Sequence, residues 1–226
     1  MHRITLSAAL LLATALMLTT PERAMAAEDI EEPAYTVVAE RDFYEVRDYQ
    51  PFIIAEVEVE GDYRSAMNRG FRMLADYIFG NNSERMEMAM TAPVFQNEAA
   101  DAPAADSANA APEYDQRHAV SFVMPAKFDM DSLPAPTTDR VTLREVPGGQ
   151  FAVHRFSGWA REGHAEKMRR QLVEAVEADG HTTQGPVLLG QYNPPWTLPF
   201  LRRNEVLVRL AEPVPSDDAG TPAPTS

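Results

Sequence analysis

Three stretches of this chain hold residues whose types and spacing suit chemistry. The first is RMEMAMTAPVF, residues 85–95, with methionine at positions 86, 88 and 90. Period-two alternation belongs to an extended strand, so Met86, Met88 and Met90 are expected on one face of it. Such a face serves as adaptable core packing, or as a soft surface for Cu(I) or for a haem iron and its porphyrin. Alternate side chains on one strand lie about 7 Å apart, so three of them cannot close on one small ion, and copper would need sulfur from a second strand.

The second stretch is the helical run SAMNRGFRMLADYIFG, residues 65–80. At helical spacing Arg64, Asn68 and Arg72 form a ridge beside the apolar stripe Met67, Phe71, Leu74 and Ile78. A wide apolar face flanked by cations suits a flat ligand bearing carboxylates, which lose hydration on binding and need compensation. The plainer reading is that Arg64, Arg69 and Arg72 solvate an exposed helix and pair with Asp62 or Asp76. The third stretch is NPPWTLPFLRRNEV, residues 193–206. Its prolines stiffen a loop that presents Trp196 and Phe200, with Arg202 and Arg203 as anion clamps. Alternatively, Arg203 holds Glu205 in a structural pair.

Catalytic signatures are missing. The sequence has no cysteine, no G-x-S-x-G elbow, no phosphate-cradling glycine loop and no recognisable Ser-His-Asp order. His118, His154 and His181 lack partners at metal spacing, and Glu166 follows His164 too closely for a shared zinc face. Glu56, Glu58 and Glu60 alternate along a strand, which describes a solvated outer face rather than two carboxylates in contrasting environments. No enzyme and no metal site is expected. With 20 basic against 34 acidic residues the formal charge is −14, and the longest basic runs are the pairs Arg169-Arg170 and Arg202-Arg203. That balance argues against a nucleic-acid partner.

Organisation along the chain explains part of the acidity. Residues 1–26 read as a secretory signal peptide: His2 and Arg3, an uncharged apolar run from Ile4 to Leu18, and small residues at Ala24 and Ala26. The run of 15 residues is shorter than a membrane-spanning helix needs. Removing residues 1–26 takes away Arg3, Arg23 and Glu22 and leaves −15. A periplasmic or secreted protein without a stable membrane anchor is therefore expected, its stability resting on a packed core because disulfides are excluded. Segments 27–34, 97–116 and 212–226 are rich in alanine, proline and acids and are expected to be disordered, the middle one as a surface insertion. They bracket one domain over residues 35–211, with halves at about 35–130 and 139–211.

The two halves repeat a pattern. Each has a strand with a central arginine (Arg47, Arg144), a turn, a second strand ending at a glycine (Gly61, Gly158), a helix and two further strands. In the second helix Met168, Leu172, Val173 and Val176 form the apolar stripe. The expected fold is α+β: two strand-rich halves, related by a pseudo-twofold, forming one curved sheet or barrel with two helices.

The segments YEVRDYQPFIIAEV, SAMNRGFRMLADYIFG, MTAPV, SFVMPAKF and YNPPW followed by RRNEV together resemble the SOUL haem-binding family over roughly residues 43–210. The resemblance implies a distorted antiparallel barrel flanked by two helices, and non-covalent binding of haem or another tetrapyrrole, usually without turnover; a monomer is expected. Family alignment places Asn68 and Phe71 at groove positions beside the first helix. The ligand-binding set is then Asn68, Phe71, Arg72, Trp196, Arg202 and Arg203. One branch of the family has a histidine proposed as axial ligand within the first motif, where this chain has Asp48, so ligation by that route is lost. Related barrels include effector-binding domains for bulky apolar drugs, and some of their relatives are hydrolytic; another hydrophobic ligand, or hydrolysis, is the alternative on this fold.

Overall fold

Alternating side chains dictate the sheet in the computed structural model, which describes residues 30–98 and 117–215. In chain order the elements are β1 (Tyr35–Glu40), β2 (Glu45–Tyr49), β3 (Phe52–Glu60), α1 (Tyr63–Ile78), β4 (Val94–Glu98), β5 (Arg117–Val123), β6 (Thr142–Val146), β7 (Gly149–Phe156), α2 (Glu162–Ala178), β8 (Thr183–Gln191) and β9 (Asn204–Leu210). All nine strands join one antiparallel sheet, curled into a half-barrel, in the order β1-β2-β7-β9-β8-β4-β5-β3-β6. This is the α+β architecture expected from the sequence. From β2 to β6 the order reads the same from either end once β2, β3, β4 and β5 are exchanged for β6, β7, β8 and β9. The exchange leaves only the β4–β8 junction in place, so that junction is the centre of the sheet.

Parity along each strand assigns the faces. Ala55, Val57 and Val59 of β3 and Val120 and Phe122 of β5 pack under α1, while Ala152 of β7, Leu189 of β8 and Val206, Val208 and Leu210 of β9 pack under α2. On the opposite face Tyr49, Ile54, Phe95, Phe151, Val153 and Leu207 form a third core. The glutamate-bearing face of β3 is thus not uniformly solvated: Ile54 is buried there, and Glu56 accepts from Ser121 Oγ at 3.0 Å and pairs with Arg144 at 3.2 Å.

Helix α1 starts at Asp62, whose carboxylate accepts the Ser65 N–H at 3.0 Å and satisfies one orphan donor of the first turn. It buries Ala66, Gly70, Leu74, Tyr77 and Ile78. Leu74 and Ile78 of the expected stripe are buried and Met67 packs against the same core, while toward the N-terminus Ala66 and Gly70 make the closest approach in place of Met67 and Phe71, because Gly70 lets the helix sink onto the sheet: a Cβ there would stand 2.7 Å from Val120 Cγ2. In α2 the buried positions are Ala165, Met168, Leu172 and Val176, and Val173 lies to one side of them.

The methionine stretch departs from its expected strand. Buried Asn82 donates to the Met86 carbonyl at 2.7 Å and accepts the Met86 N–H at 3.0 Å, Arg85 has φ of 54°, and Met88 N–H returns to the Ile78 carbonyl at 2.8 Å. With those backbone groups engaged locally, no ladder forms before Val94. Met88 is core, Met86 is half-buried and Met90 is exposed, so the three sulfurs do not share a face.

The expected segment boundaries also shift. Asn97 and Glu98 extend β4, Glu32 pairs with Arg203, and Val214 is buried against the α2 core with its backbone bonded at both N–H and carbonyl to Gln150. The expected signal peptide, residues 99–116 and residues beyond 215 lie outside the described residues.

Candidate functional site

Neither helix packs extensively on β4. Helix α1 packs on β3 and β5, and α2 packs on β7, β8 and β9, so the helix-side surface of β4 is left between them. A cleft of about 780 Å³ opens there. Its floor is Gln96 of β4, His118 of β5 and Val187 of β8; Tyr63 and Met67 of α1 form one wall, and Glu162, Glu166, Arg169, Arg170, Val173 and Glu174 of α2 the other. The volume falls within the span of about 300–1,000 Å³ common for small-molecule sites.

Polar groups in the floor hold one another. The Tyr63 hydroxyl donates to Gln96 Oε1 at 2.6 Å, and Gln96 Nε2 donates to Gln191 Oε1 at 2.8 Å. The chain of bonds crosses the β4–β8 junction and ties α1 to both central strands. Burial raises the Tyr63 pKa, opposed by the nearby Arg169 charge, so the phenol stays protonated as a donor. His118 meets the Gly61 carbonyl through Nε2 at 3.1 Å and packs edge-on against Tyr63. A carbonyl accepts only, so Nε2 carries the proton in that pairing.

Arg169 is the group with capacity left over. Its side chain is 13 % exposed; Nη2 donates to the Gln96 carbonyl at 3.2 Å and Nη1 lies 3.8 Å from Glu166, while buried Nε has no partner. A buried unsatisfied donor costs about 1–3 kcal/mol. Arg170, 3.4 Å from Glu166, stands more exposed on the same wall.

A second polar cluster lies on the opposite face, where it is structural. Arg47 makes two bonds to Glu205, at 2.8 and 3.1 Å, and Glu205 also accepts from Arg203 Nε at 2.8 Å and Tyr192 Oη at 2.7 Å. Burial opposes ionisation of Glu205, but the hydrogen bonds and charge of Arg47, with those of Tyr192 and Arg203, outweigh it and hold its pKa below the usual carboxylate range.

The six residues expected to bind ligand are not assembled into one site. Asn68 and Arg72 are exposed on α1 and lie off the cleft. Phe71 is one turn beyond Met67, 41 % exposed and edge-on to Phe122 at 5.1 Å. Trp196 stands in solvent in the β8–β9 loop. Arg202 stacks on Trp159 at 3.9 Å and donates to the carbonyls of Thr197 and Pro195, while Arg203 is committed to Glu205, Glu32 and the Tyr192 ring. For Arg203 the structural alternative is the one observed. Asp48 lies in β2, outside the cleft. Sequence reasoning missed Tyr63, Gln96, Arg169, Val173 and Val187. The i, i+4, i+8 series Tyr63, Met67, Phe71 was the one local signal; the others come from separate elements and meet only through the sheet. Among the described residues no group of three His, Asp or Glu is arranged to hold a metal ion.

A curled antiparallel sheet with two helices and a cleft between them defines an α+β half-barrel. Residues 30–209 match the family model described as SOUL heme-binding protein, and the chain belongs to that family. It is 27 % identical to human Heme-binding protein 2 over 77 % of this chain and 82 % of that protein, and 30 % identical to mouse Heme-binding protein 1 over 72 % and 82 %. The fold is shared with the C-terminal domain of EcmrR (TM-score 0.54, 11 % identity, 80 % of this chain and 99 % of that one). It is also shared with a structure described as a hydrolase from Listeria innocua (TM-score 0.51, 10 % identity, 76 % and 94 %).

Proposed function

We propose that this chain is an exported binder of haem or a related tetrapyrrole that holds its ligand in the cleft between α1 and α2 without turning it over. The observation that carries the reading is the pairing, in a SOUL-family chain, of a ligand-sized cleft with two arginines, Arg169 and Arg170, on one wall of it. Met67, Val173 and Val187 supply apolar contact for a macrocycle, and Arg169 and Arg170 supply cations for its carboxylates. When bound, haem would bring the redox and ligand-binding chemistry of its iron; the chain's own part is to bind and orient the group and to keep water from one face. The Tyr63 phenol, held protonated, suits a hydrogen-bond donor better than a general base, which supports binding over catalysis. The leader-like residues 1–26 support export, and the acidic balance supports a partner other than nucleic acid.

One observation favours a second reading. Glu162, Glu166 and Glu174 outnumber Arg169 and Arg170 on the α2 wall, which suits a bulky apolar ligand of neutral or positive charge. Haemin titration of residues 27–226, followed at the Soret band and repeated with the apolar cation crystal violet as competitor, separates the two. Saturable one-to-one haemin binding, micromolar or tighter, is expected. Haemin uptake that never saturates, beside tight one-to-one binding of crystal violet, would overturn the haem reading in favour of the second.

A further inference from the structure

The β8–β9 loop carries large apolar side chains out into water. Trp196 is 84 % exposed, Phe200 71 % and Leu201 62 %, and Leu198 and Trp159 stand exposed beside them. Scattered exposed apolar residues are ordinary, but five on two touching segments make a patch. The segments touch where Gly158 N–H meets the Pro199 carbonyl at 2.9 Å and Arg202 lies over Trp159. The patch lies outside the inter-helix cleft and is not accounted for by ligand binding there.

We propose that this loop is a peripheral membrane-docking element, seated among anionic lipid headgroups with its apolar tip at the edge of the hydrocarbon. Three features select a lipid surface as the occupant. The first is stiffness: Pro194, Pro195 and Pro199 restrict the backbone, a 3-10 turn spans Pro199–Leu201, and Asn193 Oδ1 accepts the Arg203 N–H at 2.6 Å. The tip is therefore held out before any partner arrives.

The second is partial backbone closure, which lowers the number of polar groups carried into the interface and leaves the N–H groups of Trp196, Leu198 and Phe200 to headgroup oxygens and water. Thr197 N–H bonds the Pro194 carbonyl at 3.0 Å, Leu201 N–H bonds that of Leu198 at 2.9 Å, and the Pro199 carbonyl accepts from Gly158 and Arg202. The Arg202 guanidinium takes the carbonyls of Pro195 and Thr197. The prolines have no N–H to leave unpaired.

The third is charge. Segments 154–161 and 192–203 together hold four arginines and no acidic residue, in a chain with 34 acids against 20 bases. Arg203 is paired with Glu32 and Glu205, and Arg155 lines a pocket with Glu40, Asp42 and Glu45, which leaves Arg161 and Arg202 at the loop, with Glu162 as the adjoining acid. Cations around an aromatic and aliphatic tip suit the interface of an anionic bilayer, where tryptophan also prefers to sit. Among the described residues no helix is long and apolar enough to cross a membrane, so the attachment is peripheral.

Vesicle sedimentation tests this, using residues 27–226, which contain every described residue and omit the apolar leader that would itself partition. The probes are vesicles of phosphatidylcholine with phosphatidylglycerol and vesicles of phosphatidylcholine alone, without haem. Binding to the mixed vesicles is expected, weaker on phosphatidylcholine alone. It should fall by roughly tenfold or more in a Trp196→Ser, Phe200→Ser variant, as expected for withdrawing two large side chains from an apolar medium. In a Trp159→Phe background, Trp196 emission should shift to the blue on binding. Both serine positions are solvent-exposed, so thermal melting of the variant should match the parent. Absence of binding to either vesicle, or binding undiminished in the serine variant, would overturn the proposal. So would a dimer of the parent that the serine substitutions convert to monomer in sedimentation velocity while vesicle binding is absent, which would assign the patch to a second copy of the chain.

Discussion

Arg47 and Glu205, 158 residues apart in sequence, are joined by two buried hydrogen bonds of 2.8 and 3.1 Å. The pair fastens β2 to β9 across the intervening β7, and it unites two motifs that sequence reading treats separately, YEVRDY and RRNEV. Tyr49 and Glu45 complete the arginine's shell, and Tyr192 and Arg203 complete the glutamate's. Removing Arg47 leaves buried Glu205 with Arg203 and Tyr192 alone, so Arg47→Met is expected to lower unfolding free energy by about 3 kcal/mol, the low end for a broken buried pair. Urea denaturation checks this. The double substitution Arg47→Met, Glu205→Leu is expected to cost less than the sum of the single changes, because it leaves no charge stranded between the two positions.

The same pair sets an acid limb. The folded pKa of Glu205 lies below its ordinary 4.5, so the unfolded chain binds the proton first as pH falls. The stabilisation is complete above the unfolded value and is lost as pH drops through the lowered folded value. Glu205→Gln should therefore be less stable than the parent at neutral pH, with a shallower decline below about pH 4.5. Melting temperatures measured from neutral to strongly acidic pH give the comparison; parallel curves would contradict it.

Gly70 is the contact point of α1. Alanine would gain about 0.5–1 kcal/mol as a better helix former, but its Cβ would meet Val120 Cγ2 at 2.7 Å, and overpacking costs about 1–3 kcal/mol. A net loss of about 1–2 kcal/mol is expected for Gly70→Ala, and a Val120→Ala background should restore most of the helix gain. A double-mutant cycle in urea measures the coupling.

The three methionines should separate by burial. Met88→Ala is expected to cost about 2–5 kcal/mol through lost packing and a cavity, whereas Met90→Ala should fall within about 0.5 kcal/mol of the parent. Equal costs at the two positions would contradict the local structure that Asn82 imposes.

Which parts were legible in sequence follows from what each signal depends on. Strand alternation in FIIAEVEVE and the helical period of residues 63–78 are local, and both elements formed where they were expected. Alternation in RMEMAM was equally clear and misled, because the deciding group was the buried amide of Asn82, three residues upstream of Arg85. Leu74 and Ile78 of the α1 stripe were read correctly, but Phe71 gave way to Gly70 because a glycine, apolar in no obvious sense, made the closest contact. The cleft was illegible for a different reason: Tyr63, Gln96, Arg169 and Gln191 belong to four elements and acquire their relationship only when β4 and β8 meet at the centre of the sheet. Arg202 read as a free cation in sequence and Arg203 as either a clamp or the partner of Glu205; the carbonyls that occupy Arg202 come from the folded loop, and Glu32, the further partner of Arg203, from the N-terminal segment.

The central claim is that ligand enters the cleft between the helices rather than the outer face of α1. Its most direct test is haemin affinity, measured at the Soret band, for Val173→Glu and Arg169→Ala beside Phe71→Ala and Arg72→Ala. Placement in the cleft predicts a loss of roughly tenfold or more for Val173→Glu, which puts a charge against the macrocycle, and for Arg169→Ala, with the other two within about twofold of the parent. Affinity that survives Val173→Glu and collapses with Phe71→Ala or Arg72→Ala would contradict the account and place the ligand on the outer face of α1.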